Sequence, residues 1–239
     1  MLLQERWNAY NPLFNDVHVM VFLGIGFLLT FLKNYSLTAL TFNLIIGAIS
    51  VQWYILGKQL EILKWSKLSN HFLILSASGF VQMWAGGSNS PEIRLTLSSF
   101  LLGEYAAATV LISFCVVLGK LSILQLIIMA LLEVLLYSVN EYIGFSLLFA
   151  HDVGYTNFIH VFAASFGLGV SRALKVENVA QPSQLATSKP SNIFSLLGTL
   201  FLWVFWPSFM ASASLPGLPQ QRAMMNTYLG KVQIDYISP

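Results

Sequence analysis

The sequence predicts an all-α fold, a polytopic transmembrane bundle of about six helices. Of the 239 residues, 56% are hydrophobic and only 9% are charged, and the mean hydropathy is +0.70. A soluble domain carries about 25% charged residues. Uncharged segments of roughly 16 to 30 residues recur, each long enough to cross an apolar layer of about 30 Å. They are apolar on all sides instead of alternating, which excludes a membrane β-barrel.

Six apolar segments are predicted to cross the membrane. They are residues 17–32, 34–57, 105–119, 121–149, 153–171 and 191–214, and an earlier start of the third, in LTLSSFLLG (95–103), is left open. The very short connection between the first two predicts an antiparallel hairpin. A further apolar segment at 71–84 is short, so a re-entrant or interfacial position fits it better than a crossing. Small residues in the spans, including Gly24, Gly26 and Gly167, indicate close helix packing.

The fifth span contains an ionisable side chain. Residues 153–171 include no Asp, Glu, Lys or Arg, yet His160 lies among them, and Asp152 stands eight residues before it. Eight residues rise about 12 Å along a helix and turn it about 80° past two full turns, so both side chains can border one cavity. A carboxylate at the mouth and an imidazole below it suit a route that attracts a cation and admits only its uncharged form.

Structural roles are open for the same residues. Asp152 can be the N-cap of the fifth helix, or serve both as cap and as functional acid. His160 can simply hydrogen-bond a neighbouring helix. Glu133, inside the fourth span, can line a cavity or make an interhelical hydrogen bond.

Aromatic side chains occur in or beside the spans, among them Tyr105, Phe114 and Phe209. Aromatic faces can hold a small desolvated cation, but aromatic residues also fill bundles and membrane interfaces. Phosphate-binding loops, nucleophile elbows and HExxH pairs do not occur in the sequence, so it offers no positive support for a hydrolase or a metalloenzyme. The single cysteine excludes an internal disulfide. A net charge of +2 gives no indication of nucleic acid.

Several longer stretches share a pattern with a known family. They are NPLFNDVHVMVFLGIGFLLTFLKNY (11–35), AAATVLISFCVVLGK (106–120), LLEVLLYSVNEYI (131–143), HDVGYTNFIHVFAASFGLGVSRAL (151–174), SLLGTLFLWVFWPSFMASA (195–213) and QQRAMMNTY (220–228). The first five resemble successive helices, and the sixth the loop beyond them, of the Rh glycoprotein branch of the ammonium transporter superfamily. The matches are long, collinear and cover most of the chain.

The resemblance implies a single partial ammonium-transporter-like membrane domain over residues 1–239, roughly one half of an inverted-repeat channel fold. The family's first helix and its C-terminal half have no counterpart here, and residues 58–100 and 230–239 look unlike the family. In the family, the loops at Lys33 and at 172–189 are cytoplasmic. This topology places Asp152 on the outer side of the membrane and requires that the segment 71–84 does not cross it. A multi-pass protein of the plasma membrane is expected.

The resemblance also assigns roles. His160 matches the first of two paired pore histidines, Asp152 the acid of the outer vestibule, and Phe209 one of two gate phenylalanines. The other gate position falls on Tyr105, which departs from the family's Phe. These matches imply ammonium transport without enzymatic chemistry, cofactor or metal: ammonium loses its proton at the vestibule, and ammonia passes through an apolar pore. The expected partners are ammonium or ammonia, the lipid bilayer, and a homotrimer or hetero-oligomer of Rh-family proteins.

A second interpretation comes from a different class. One half of an inverted repeat does not enclose the pore and would leave polar groups facing lipid. A truncated, non-transporting Rh-like membrane protein would instead assemble with full-length relatives or modulate them. The two interpretations differ in whether this polypeptide conducts ammonia itself.

Overall fold

The computed structural model describes residues 17–31, 36–64, 97–174, 186–215 and 217–237, and all their regular structure is helical. Helix α1 covers Val17–Leu28 and passes into a 3-10 turn at Leu29–Phe31. The other helices are α2 (Ser36–Lys64), α3 (Leu97–Val117), α4 (Ile123–Tyr142), α5 (Phe162–Ala173), α6 (Lys189–Ala211) and α7 (Leu218–Ile237). A π-helical turn at Ile143–Leu147 follows α4, and another at Asn157–Val161 leads into α5.

The helices confirm the predicted bundle. Three of them contain stretches long and apolar enough to cross a membrane: Phe100–Val117, Ile123–Phe145 and Lys189–Ala211. Two shorter apolar helical stretches cover Val17–Leu28 and Thr41–Leu56. Each of the six predicted spans falls largely on helix. Hydropathy locates these spans correctly because a helix that crosses lipid must be apolar over its whole length.

Local sequence explains where the helices begin and end. Gly119 takes the left-handed φ of 80° that turns the chain after α3. Ser122 then caps α4: its hydroxyl accepts from the amide of Gln125, and the Gln125 side chain accepts from the Ser122 amide at 2.8 Å. Ser188 and Ser191 form the equivalent capping box before α6. Helix α4 therefore begins only a few residues after α3 ends, and Gly119 lies in the turn between them.

Helix α3 is the centre of the described bundle. In its apolar stretch 72% of the residues are buried, against 22% in that of α6. Small side chains at Ala106, Ala107 and Ala108 let neighbouring helices approach it. Helix α6 instead leaves large apolar side chains exposed along its length: Ile193, Leu196, Leu200, Trp203 and Val204. Such a surface suits lipid or another protein surface.

Two glycines allow backbones to meet, as the small residues predicted. A methyl group on Gly198 of α6 would lie 2.3 Å from the amide nitrogen of Leu28 and 2.6 Å from the carbonyl oxygen of Gly24. A methyl group on Gly167 of α5 would lie 2.9 Å from the carbonyl oxygen of Ser113 on α3. Side chains larger than hydrogen would separate these helix pairs.

A buried polar link joins three helices. The hydroxyl of Ser113 on α3 donates to Glu133 on α4 and also lies 2.8 Å from the carbonyl oxygen of Ala163 on α5. Ser113, Glu133 and Ala163 are all fully buried. The interhelical interpretation of Glu133 is therefore the correct one.

One predicted helix boundary was wrong. Helix α2 continues to Lys64, beyond the predicted end at residue 57, because KQLEILK is rich in helix-forming residues that hydropathy does not score. Helix α3 begins at Leu97, inside the LTLSSFLLG stretch in which an earlier start of the third span was left open. The predicted short segment at 71–84 lies outside the described residues.

The expected loop at 220–228 is also wrong, because these residues belong to α7. This helix is polar, so it carries no hydropathy signal. It packs on α6 instead: the hydroxyl of Tyr228 donates to the carbonyl of Val204 at 2.9 Å, and its ring lies 5.8 Å from that of Trp203. Tertiary contact supports a helix that its composition does not reveal.

Gly167→Ala should lower the thermal unfolding midpoint in detergent, because the new methyl group meets the Ser113 backbone instead of a movable side chain. We expect a loss of about 1–3 kcal/mol, typical of overpacking. Gly169→Ala on the same helix is the matched control, since a methyl group there meets nothing within 4 Å. Equal unfolding midpoints for the two variants would contradict the close approach of α3 and α5.

Candidate functional site

Two predicted site residues form an aromatic pair between α3 and α6. The rings of Tyr105 and Phe209 are 5.1 Å apart at 79°, an edge-to-face contact, and both side chains are fully buried. Edge-to-face geometry aligns the positive ring edge with the negative face. The structure therefore brings the two predicted gate positions together. Phe114 lies elsewhere, stacked on Phe42 of α2 at 6.4 Å as core filling.

The hydroxyl of Tyr105 ties the pair to the backbone of α6. It donates to the carbonyl oxygen of Phe209 at 3.2 Å and lies 3.3 Å from the Ser212 hydroxyl, where either oxygen can donate. Ser212 itself donates to the same carbonyl at 2.5 Å. A phenylalanine could not make these bonds. Tyrosine at this position thus holds the two rings together more directly than packing alone.

Asp152 caps the helical segment that carries His160. One carboxylate oxygen of Asp152 accepts from the amide of Asn157 at 2.7 Å, and its carbonyl oxygen accepts from the amide of Tyr155 at 3.1 Å. The first bond satisfies a helix-start amide that has no intrahelical acceptor. Asp152 thus satisfies a free amide, as the capping interpretation predicts, but it is not the N-cap residue itself: that position is Thr156, whose side chain makes no cap bond. The half-buried carboxylate also keeps access to solvent or solute.

His160 lies in the π-helical turn Asn157–Val161. Such turns interrupt regular α-helix and occur often at functional sites. The imidazole is half-buried and lies edge-on to Trp206 of α6, with ring centres 5.3 Å apart at 82°. The Thr156 backbone interacts with the ring, but no described group makes a well-oriented hydrogen bond to its buried Nδ1.

Trp206 connects the predicted residues. Its ring lies 5.2 Å from that of Phe209, one helical turn further along α6, as well as against His160. A continuous run of rings therefore leads from Tyr105 through Phe209 and Trp206 to His160. Trp206 was missed as a site residue, although its spacing of three from Phe209 puts both on one face of a helix.

Tyr155 extends this run toward Asp152. It has a left-handed backbone with φ of 52°, an uncommon conformation for a bulky residue, and its ring lies 5.0 Å from that of Tyr105. Holding this conformation costs on the order of 1–3 kcal/mol, which the surrounding packing must offset. Its place between the acid and the aromatic pair gave no signal in the sequence.

Two glutamates near this run of rings were also missed as candidate residues, each of them paired with a side chain of another helix. Glu141 of α4 accepts from the Tyr54 hydroxyl of α2 at 2.6 Å. Glu104, directly before Tyr105, contacts the imidazole of His18 on α1. His18 could have been noticed by the reasoning applied to His160, because it too is an ionisable residue inside a predicted span. Among the described residues, no three His, Cys, Asp or Glu side chains are grouped so that they could hold a metal ion.

These features define a polytopic helical membrane protein with aromatic and imidazole groups between its helices. Residues 4–232 match the model of the Ammonium Transporter Family. The chain belongs to this family, which confirms the resemblance derived from the quoted stretches.

Relatives of known type support the same conclusion. The chain is 40% identical over 238 residues to "Ammonium transporter Rh type B" of Danio rerio, covering 94% of this chain and 47% of that protein. It is 37% identical over 228 residues to "Ammonium transporter Rh type A" of Mus musculus, covering 95% and 46%. The chain spans about half the length of the curated relatives it matches.

A solved structure shares the fold. The structure titled "Nitrosomonas europaea Rh50 and mechanism of conduction by Rhesus protein family of channels" aligns with a TM-score of 0.69 at 27% identity. The alignment covers 95% of this chain and 54% of that chain. The predicted fold, a helical bundle matching roughly half of an ammonium-channel protein, is confirmed.

Tyr105→Phe should reduce stability while leaving the ring contact in place, because it removes only the hydroxyl bonded to α6. We expect a loss of about 1 kcal/mol in the free energy of unfolding, measured by denaturation in detergent. Tyr228→Phe is the control: its exposed hydroxyl also donates to a carbonyl of α6, and its loss should stay within about 0.5 kcal/mol. An equal loss in both variants would show that the buried hydroxyl has no special role.

Proposed function

We propose that the chain takes part in transmembrane transport of ammonium or ammonia, as a transporter and not an enzyme. The supporting observation is the run of rings from Tyr105 through Phe209 and Trp206 to the imidazole of His160. Family membership makes ammonium the substrate to test first. The run combines apolar surfaces with a ring nitrogen that can hydrogen-bond a small polar solute.

The proposed mechanism separates attraction from conduction. The Asp152 carboxylate and nearby aromatic faces draw ammonium to the outer vestibule, where charge and ring quadrupoles stabilise a cation. Ammonium gives up its proton there to water of the vestibule, so that the proton stays on the outer side. Neutral ammonia then passes the pair formed by Tyr105 and Phe209 and reaches His160, whose ring nitrogen replaces a lost water partner.

Selectivity follows from the cost of desolvation. An ion entering an apolar space between helices loses its hydration and gains no equivalent partner, whereas ammonia loses only a few hydrogen bonds. Fully buried rings at Tyr105 and Phe209 suit such a barrier. Their opening is part of the proposal, since the two rings touch.

We further propose that the chain acts in the plasma membrane within an oligomer, either a homotrimer or a hetero-oligomer with other Rh-family proteins. The outward face of α6 supports this, because exposed Ile193, Leu196, Leu200 and Trp203 need lipid or protein against them.

Purified chain in lipid vesicles should raise internal pH when an ammonium gradient is applied, followed with a trapped pH-sensitive dye. His160→Ala should slow the initial rate about tenfold, because a lost hydrogen bond of ~1.4 kcal/mol along the path corresponds to that factor. Val161→Ala, an exposed change next to it, is the control. Absence of flux from the wild-type chain, with co-purification of a full-length relative, would favour the non-transporting partner instead.

Asp152→Asn separates capping from cation attraction. The amide oxygen can still accept from Asn157, so the unfolding midpoint should stay close to that of the wild type. Ammonium uptake should fall roughly threefold at ~0.01 M ionic strength and converge with the wild type at ~1 M, where charge is screened. If uptake by the variant equals that of the wild type at low ionic strength, Asp152 caps the helical segment and has no role in attracting ammonium.

A further inference from the structure

A buried acid and imidazole lie beside the aromatic pair. His18 of α1 and Glu104 of α3 form an ion pair when the imidazole is protonated and a hydrogen bond when it is neutral. The two residues are only 3% and 5% exposed. Such a pair between helices costs more to desolvate than an apolar contact of similar size. A role beyond joining the two helices would explain why the chain places these groups here.

The pair contacts one member of the aromatic pair and neighbours the other in the chain. The His18 ring lies 4.9 Å from that of Phe209 at 66°, an edge contact. Glu104 directly precedes Tyr105 on α3. Phe22, one turn after His18 on α1, adds a second edge contact to Phe209 at 6.4 Å and 88°. The Phe209 ring is therefore held by Tyr105 from α3 and by His18 and Phe22 from α1.

The carboxylate determines how the imidazole faces Phe209. A histidine ring bonded to a carboxylate has its rotation and its proton position set by that bond, as metal-binding and catalytic histidines illustrate. Without the carboxylate, the imidazole could turn about its side-chain bonds and lose the edge contact. Because the two rings are in contact, the orientation of the His18 ring constrains the position of the Phe209 ring.

We propose that His18 and Glu104 are a positioning pair that holds the Phe209 ring against Tyr105. Neither side chain needs to touch the solute; the pair acts through Phe209. The inference rests on the proposed function for its effect on transport. The position of the Phe209 ring can be tested without any transport measurement.

The experiment places a single 4-fluorophenylalanine at position 209 of the full chain and records its fluorine NMR resonance in detergent. Glu104→Gln removes the charge, and we expect a displaced or broadened resonance. Glu104→Asp keeps the carboxylate and should move the resonance back toward that of the parent. Glu133→Gln is the control, because Glu133 is equally buried but bonds Ser113; it should leave the resonance in place.

Removing one member of a buried pair can destabilise the whole chain. The double variant His18→Phe with Glu104→Leu removes both polar groups together and keeps a ring at position 18. It should fold and still show a displaced resonance. An unchanged resonance in both this variant and Glu104→Gln would overturn the proposal, and so would an equal displacement in Glu133→Gln.

Transport supplies the second readout. In vesicles, Glu104→Gln should lower the ammonium-driven flux on the order of tenfold, as loss of a group that orients a functional side chain commonly does, and Glu104→Asp should recover part of it. A parent chain without flux contradicts the proposed function, while the fluorine resonance still decides the positioning role. A displaced resonance with full flux in Glu104→Gln would overturn the link between ring position and transport.

Discussion

The need to satisfy buried carboxyl groups organises this bundle. In the part of the chain that the structure describes, three buried glutamates lie among apolar helices, and each is bonded to a side chain of another helix: Glu104 to His18, Glu133 to Ser113 and Glu141 to Tyr54. An unsatisfied polar group in a membrane costs several kcal/mol. These bonds therefore specify which helices are neighbours, whereas apolar packing between helices in lipid is less selective. They link α1 to α3, α3 to α4, and α2 to α4.

The candidate pathway depends on this arrangement. Helix α3 is buried at the centre and presents Tyr105, while α6 lies toward the outside and presents Phe209 and Trp206. The Tyr105 hydroxyl joins the two helices where their rings meet. Polar bonds of this kind are directional, so they orient side chains as well as holding helices together.

Much of this could be predicted from the sequence. The spans, the small-residue contacts and the candidates His160 and Asp152 follow from composition and helical spacing, because these properties are local. Local sequence also allowed Asp152 to be the N-cap; the structure places the N-cap at Thr156, while Asp152 accepts from the amide of Asn157 from an earlier position in the chain. The extent of α2 and the presence of α7 could not be predicted from hydropathy, which responds to lipid and not to packing against another helix.

By itself the sequence determined that the chain is a helical membrane protein, which residues could be ionisable inside it, and which family it resembles. Tertiary structure alone decided that His18 meets Glu104 and that Trp206 lies between His160 and Phe209. These contacts join residues on different helices, far apart along the chain. Helical periodicity states which face a residue occupies, but only the packing of whole helices determines what that face meets.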